Sequence, residues 1–399
     1  MSRYYINGYI RRGFYDVDRF LHYARQKQND MIALIRELVE CESPSDHPPG
    51  VDRLVSLLAD RVSGIARVRA FPGGRYGKHL RCEFMLPEVK KRAARDEQIL
   101  VLGHSDTVWP LGTLASMPFR IARGRLWGPG VLDMKAGIAF FIFAMRALRD
   151  LDVPVARKVV MQVNSDEEVG SESSRALTEQ AARESAAVLV LEPGTGLAGK
   201  LKTARKGVGD YTITVRGKAS HAGVDFSNGA NAIVEMSRQI ERIAGFTRLD
   251  RGVTVSPGVI HGGTRSNVVP AECSIEVDIR VPRDRDRKYL ARALASLKPF
   301  DKRCTIQVAG GLNRPPMERS AGVRKLFRTA RALAAELGVT LEESSTGGGS
   351  DGNFTAALGV PTLDGLGAVG EGAHAVNESI LVNRIADRTA LLAKLVAAI

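Results

Sequence analysis

The chain has 399 residues, 44% hydrophobic and 25% charged, too long for one ordinary core and long enough for two. Its formal charge of +13 comes from basic residues scattered along the chain, and only 6% of residues are aromatic. That pattern argues against a nucleic-acid surface and is equally served by a small anionic substrate. The most apolar stretch, Ala136 to Leu148, falls short of the roughly 20 residues that cross a membrane. Cys41, Cys82, Cys273 and Cys304 form no C-x-x-C pair, which speaks against a thiolate zinc site or a small disulfide framework. Met1 to Asn29 lacks the apolar core of a secretory signal, so a cytoplasmic protein is expected.

Apolar runs of strand length at Gln98 to Leu102, Lys158 to Val163 and Ala187 to Leu191 alternate with helical patterns at Met31 to Cys41, Ala136 to Arg149 and Ser173 to Arg183. This predicts an α/β fold, a mostly parallel sheet with helices on both faces. From Val208 the order becomes strand (208–216), helix (231–244), strand (252–261), strand (272–281), helix (286–297), strand (305–308). That β-α-β-β-α-β order belongs to an inserted ferredoxin-like α+β unit with one sheet face free. The expected domains are 1–203 with 315–399, and an insert at 204–314. A helix near Val323 to Leu337, the Gly-rich loop Thr346 to Gly352 and a terminal helix from Arg384 complete the first. Residues before Met31 are expected to form an extra surface helix.

The chemistry gathers where strands end. Asn164-Ser165-Asp166-Glu167-Glu168 follows an apolar strand; alone it reads as a solvated turn capping the next helix, but adjacent carboxylates resist joint ionisation unless a cation relieves them. In Gly103-His104-Ser105-Asp106, His104 and Asp106 share one side of an extended segment, so a carboxylate can hold the imidazole. Asp133 lies in the turn Gly130-Val131-Leu132-Asp133-Met134-Lys135, where it would also serve as an N-cap. Glu192 ends another apolar strand, and an acid there is costly to bury unpaired. His374 sits among small residues in Gly372-Ala373-His374-Ala375. Five groups of zinc-binding type thus point to the carboxyl edge of one sheet, where open α/β sheets bind ligands.

These motifs, with Asp166-Glu167-Glu168-Val169-Gly170-Ser171, Leu191-Glu192-Pro193, Gly217-Lys218-Ala219-Ser220-His221-Ala222-Gly223 and Gly263-Thr264-Arg265-Ser266-Asn267-Val268-Val269-Pro270, resemble the M20 metallopeptidases from about Met31 onward, nearest their glutamate carboxypeptidase branch. The resemblance implies two zinc ions, or cobalt or manganese in their place, bridged by Asp133 and a water. His104 and Glu192 would complete one site, Glu168 and His374 the other. It makes Glu167 the general base, Asp106 the partner of His104, and the insert a lid through which a homodimer forms. His221 would reach the partner subunit's site and steady the oxyanion. Asn267, Arg280 and Arg314 match positions lining the substrate cleft, and a cis peptide often follows the residue matching Asp133.

The substrate implied is a small peptide or N-acyl amino acid, cleaved at the amide bond to a C-terminal or N-acylated, glutamate-like residue. An N-acyl amino acid deacylase or a dipeptidase keeps the same metal chemistry. A non-catalytic binding protein on the same fold would have lost a ligand or the base, and none is missing. Phe226-Ser227 stands where many relatives have Pro-Glu, which affects the lid's contacts. The Gly-rich loop is followed by no Gly-Lys-Ser/Thr, so it is not a phosphate-binding P-loop.

Overall fold

The computed structural model describes residues 18–89 and 97–399. Six strands form the main sheet, in the spatial order Ala66–Pro72, Lys78–Phe84, Val159–Asn164, Gln98–His104, Ser185–Val190, Thr362–Leu363. Only Lys78–Phe84 runs against the rest, so the mostly parallel sheet is present. Along Gln98–His104 the pleat sends Ile99 and Val101 to one buried face and Leu100 and Leu102 to the other. Helices Gln28–Glu40, Ala136–Asp150 and Ile385–Ala398 share the first core, and Ala181 and Ala182 of helix Arg175–Arg183 cover the second. Burial on both faces explains why these strands read as unbroken apolar runs.

A second sheet, Thr254–Gly262, Glu272–Val281, Gly207–Arg216, Thr305–Arg314 in spatial order, is antiparallel throughout. Helices Ala232–Ala244 and Asp284–Ala295 close a separate core over it, built from Ile213, Val215, Met236, Ile275, Ile279 and Leu290 among others. The β-α-β-β-α-β order read from the sequence is therefore the observed one.

The segment before Met31 departs from expectation. Helix Arg19–Gln26 exists, but it is no surface ornament: Phe20, Leu21, Tyr23 and Ala24 are buried in the main core. Tyr23 Oη donates to Asp150 Oδ2 at 2.6 Å, and Lys394 of the terminal helix pairs with Asp18. Burying each large side chain contributes about 1.5–3 kcal/mol, enough to hold eight residues that would not stay helical alone. The remainder of that expectation falls on residues 1–17, outside the described residues.

Helix Ala136–Asp150 starts hard against the end of a central strand: a Cβ on Gly137 would stand 2.3 Å from the Leu191 carbonyl oxygen. Glycine to alanine inside a helix ordinarily gains about 0.5–1 kcal/mol. Here overpacking, which costs about 1–3 kcal/mol, reverses the sign. Gly137→Ala should lower the denaturation midpoint in urea, and an unchanged or raised midpoint would contradict this packing.

Candidate metal centre

The carboxyl ends of three neighbouring parallel strands deliver His104, the Asp166–Glu168 turn and Glu192 to one place. Two excursions complete it. The Gly130–Lys135 segment, with its cis Asp133–Met134 peptide, brings in Asp133, and the loop after Gly370–Glu371 brings in His374. His374 holds a left-handed backbone (φ 62°), uncommon away from glycine and a mark of functional sites.

Asp133 lies between the two imidazoles, its Oδ1 3.2 Å from His104 Nε2 and its Oδ2 3.5 Å from His374 Nε2. Glu168 Oε1 is 3.2 Å from His374 Nε2, and Glu192 Oε1 is 3.6 Å from His104 Nε2. Ligand atoms of His104, Asp133 and Glu168 lie within 4.8 Å of one another, as do those of His104, Glu167 and Glu192. Glu167 Oε1 faces Arg314 Nη2 at 3.1 Å.

These donors suit a cation. His104 Nδ1 is 2.9 Å from the Asp106 carbonyl oxygen, which can only accept, so Nδ1 carries the hydrogen. Neutral His104 then presents a lone pair at Nε2 to the carboxylate oxygens of Asp133 and Glu192. Lone pair against lone pair holds only with a proton or a metal ion between, and imidazole with carboxylates is the donor set of zinc and its neighbours.

The ionisation pattern follows. Asp133 and then Glu168 hold His374 up to about 10. Burial opposes charge on His104, yet Asp106, Asp133 and Glu192 raise it well above an ordinary imidazole. Burial also works against Asp133 as an anion, but the imidazoles keep it below the usual carboxylate range. Burial pushes Glu167 well up despite Arg314 and His104, and raises Glu168 despite its bond to His374.

Two expected roles take a different form. Asp106 holds His104 chiefly through its backbone carbonyl, with its carboxylate Oδ1 3.6 Å from Nδ1; that carboxylate also accepts from Ser45 Oγ (2.8 Å) and from the peptide N–H groups of Glu167 (3.2 Å) and Glu168 (3.1 Å). Arg314, expected along the substrate cleft, turns to the Glu167 side of the site. Its side chain is buried, with Nη1 donating to Asp351 Oδ1 (2.8 Å) and Nη2 to the Glu167 carbonyl (2.8 Å) and Ser171 Oγ (2.9 Å). Arg280 reaches the Gly-rich loop at the Gly347 carbonyl (3.4 Å) while pairing with Asp278. His221 and Asn267 lie together in exposed loops of the inserted sheet, where Ala222 N–H bonds the Asn267 carbonyl. Among the described residues no hydrogen bond or ion pair joins either to the donor set.

Sequence reasoning missed Glu378. Completely buried, it accepts from Trp109 Nε1, Gly130 N, Leu132 N and Asp133 N at 2.8 to 3.1 Å, and so fixes the turn that carries Asp133. Its only signal was an acid four residues beyond His374. Asp166 serves its own turn, accepting from Ser173 and Ser174.

The profile of peptidase family M20/M25/M40 matches residues 100–398. The chain is 30% identical over 380 residues to carboxypeptidase G2 of Pseudomonas sp. (strain RS-16), covering 94% of this chain and 90% of that one. It is 32% identical over 309 residues to a succinyl-diaminopimelate desuccinylase of Cereibacter sphaeroides, covering 71% and 78%. The crystal structure of aminopeptidase PepT of Bacillus cereus superposes with a TM-score of 0.77 at 22% identity, covering 93% and 98%. Likeness over nearly the whole of both chains places this protein among hydrolytic metalloenzymes. It belongs to peptidase family M20/M25/M40. The match to carboxypeptidase G2 is also too long to begin at Met31, in keeping with a first helix that is part of the core.

Metal must displace protons here. With His374 titrating near 10, the metal-free chain carries that proton at pH 7, so binding should release at least one proton and tighten as pH rises. Zinc titration calorimetry in buffers of different ionisation enthalpy should show this release; heats independent of the buffer would contradict it.

Proposed function

We propose that this protein hydrolyses the amide bond to a C-terminal or N-acylated amino acid, with a glutamate-like residue preferred, and that Glu167 is the general base. The observation carrying this reading is the division between two adjacent glutamates. Glu168 turns an oxygen to His374, whereas Glu167 pairs with Arg314 and bonds neither imidazole. His104, Asp133 and Glu192 would hold one divalent cation, and Asp133, Glu168 and His374 a second, zinc or else cobalt or manganese. Bound there, the pair would supply Lewis acidity and a water acidic enough to attack near neutral pH.

The chain's own groups do the rest. Glu167, partly buried and held at raised proton affinity, takes the proton of the attacking water and delivers it to the leaving amine. Its adjacency to a ligand keeps it within reach of the reaction, and the Asp106 carboxylate aims both peptide N–H groups. Asn267 and Arg280 are the side chains assigned to the substrate carboxylate, for which a guanidinium fork is well shaped. Beside Glu168 a depression lined by Pro44, Thr107, Val108, Leu111 and Val169 offers apolar walls to the other side of the scissile amide.

His221 is assigned to oxyanion stabilisation in the site of a second copy. In support, the edge strand Thr254–Gly262 exposes Val259 and Ile260, and Val224, Phe226, Ile233 and Val234 are exposed on the same unit. An uncovered apolar strand edge suits pairing with another chain. The similarity to carboxypeptidase G2 favours the carboxypeptidase reading, and that to the desuccinylase favours removal of an N-acyl group.

Glu167→Gln should keep its metal content and lose about 10²- to 10⁴-fold in kcat; unchanged turnover refutes the assignment. A panel of N-acyl amino acids, folyl-type amides and dipeptides should show the highest kcat/KM with C-terminal glutamate. Preference for neutral residues would overturn the substrate.

A further inference from the structure

The two connections between the main sheet and the inserted sheet run side by side. One passes from strand Leu201–Arg205 through Lys206 into Gly207–Arg216; the other leaves Thr305–Arg314 through Pro315 and Pro316. Arg205 and Met317 exchange both backbone hydrogen bonds at 3.0 Å, and Val208 pairs with Arg314. The Asn353 side-chain amide donates to the carbonyls of Lys206 (3.1 Å) and Pro315 (2.7 Å), tying both connections to helix Gly352–Ala357.

Each connection carries one buried arginine turned toward the site. The Arg205 fork grips Asp364 at 2.8 and 2.9 Å, and its Nη2 holds Glu192 Oε2 at 3.0 Å. Arg314 bridges Asp351 and Glu167, contacting the latter through both its carbonyl and its carboxylate. A buried guanidinium is tolerated only where its donors are met, and the two aspartates anchor the pair. The remaining donors then fix the direction of a site carboxylate. Lysine, a single nitrogen on a flexible stem, cannot bridge two carboxylates in this way.

The Gly-rich loop, which phosphate binding did not explain, is the bed for these arginines. The Gly348 and Gly349 carbonyls accept from Arg205 Nη1 at 3.2 and 2.8 Å. A Cβ on Gly349 would stand 2.5 Å from Arg314 Cδ. Only a residue without a side chain lets Arg314 pass.

We infer that Arg314 is a positioning residue for Glu167 and Arg205 for Glu192, so that both carboxylates are aimed from the connections of the inserted sheet, with Gly349 keeping the passage open. The inference rests on the assignment of Glu167 as base and Glu192 as ligand.

The test compares full-length Arg314→Lys, Gly349→Ala, Arg205→Lys and Glu167→Gln with the unaltered protein. It measures kcat and KM on the best amide substrate at saturating zinc, and zinc affinity of the metal-stripped protein by chelator competition. Arg314→Lys and Gly349→Ala should lose about 10²-fold in kcat, the cost of misplacing a reacting group by about 1 Å, with KM and zinc affinity retained. Arg205→Lys should lose about 10- to 100-fold in zinc affinity. Should Arg314→Lys fail to fold, Gly349→Ala leaves every donor in place and carries the same test. Wild-type kcat in Gly349→Ala, a loss confined to KM, or wild-type zinc affinity in Arg205→Lys overturns the inference. Glu167→Gln separates the two levels: if it is inactive while Gly349→Ala is fully active, positioning fails alone, whereas an active Glu167→Gln removes the base assignment beneath it.

Discussion

Four carboxylates, Asp133, Glu167, Glu168 and Glu192, crowd the end of an apolar sheet, and everything around them answers that repulsion. Burial raises the free energy of every negative charge, and neighbouring charges raise it again. The structure gives each carboxylate its own set of partners: both imidazoles for Asp133, His374 alone for Glu168, Arg205 beside His104 for Glu192 and Arg314 for Glu167. Roles follow from partners. On the proposed reading, the three acids that also face an imidazole nitrogen, Asp133, Glu168 and Glu192, would hold the cation, and Glu167, which pairs with an arginine and bonds no imidazole, would exchange protons.

The fold serves this arrangement by where its strands stop. Parallel strands bring their carboxyl ends to one edge, so His104, Glu167, Glu168 and Glu192 arrive from segments far apart in the chain. Outside them stands a second layer, in which Glu378 gathers the peptide N–H groups of the Asp133 turn and the Asp106 carboxylate gathers those of Glu167 and Glu168. Such outer partners hold reacting groups in direction as well as in place. The same edge is where the inserted sheet is attached, so its connections and the site share side chains.

Much of this was legible because it is local. Apolar runs bounded by polar turns marked the central strands, alternation marked those of the inserted sheet, and acids and histidines closing such runs marked the donor set. What escaped depends on distance in sequence. Glu378 meets Gly130 from 248 residues away, and the Arg205 and Arg314 contacts join strand ends to loops that no spacing relates. Side-chain direction escaped too: Arg314 turns to Glu167, and Asp106 adds its backbone carbonyl to the carboxylate that lies against His104. The first helix could have been placed in the core, since Phe20, Leu21, Tyr23 and Ala24 already form an apolar helical face.

The central claim is that neighbouring glutamates divide the work, one binding metal and one moving protons. Counting zinc ions per chain in the unaltered protein, in Glu167→Gln and in Glu168→Gln, by titration of metal-stripped protein, tests it most directly. The account predicts two ions in the first two and one in Glu168→Gln. Loss of an ion from Glu167→Gln, with Glu168→Gln keeping both, would contradict it.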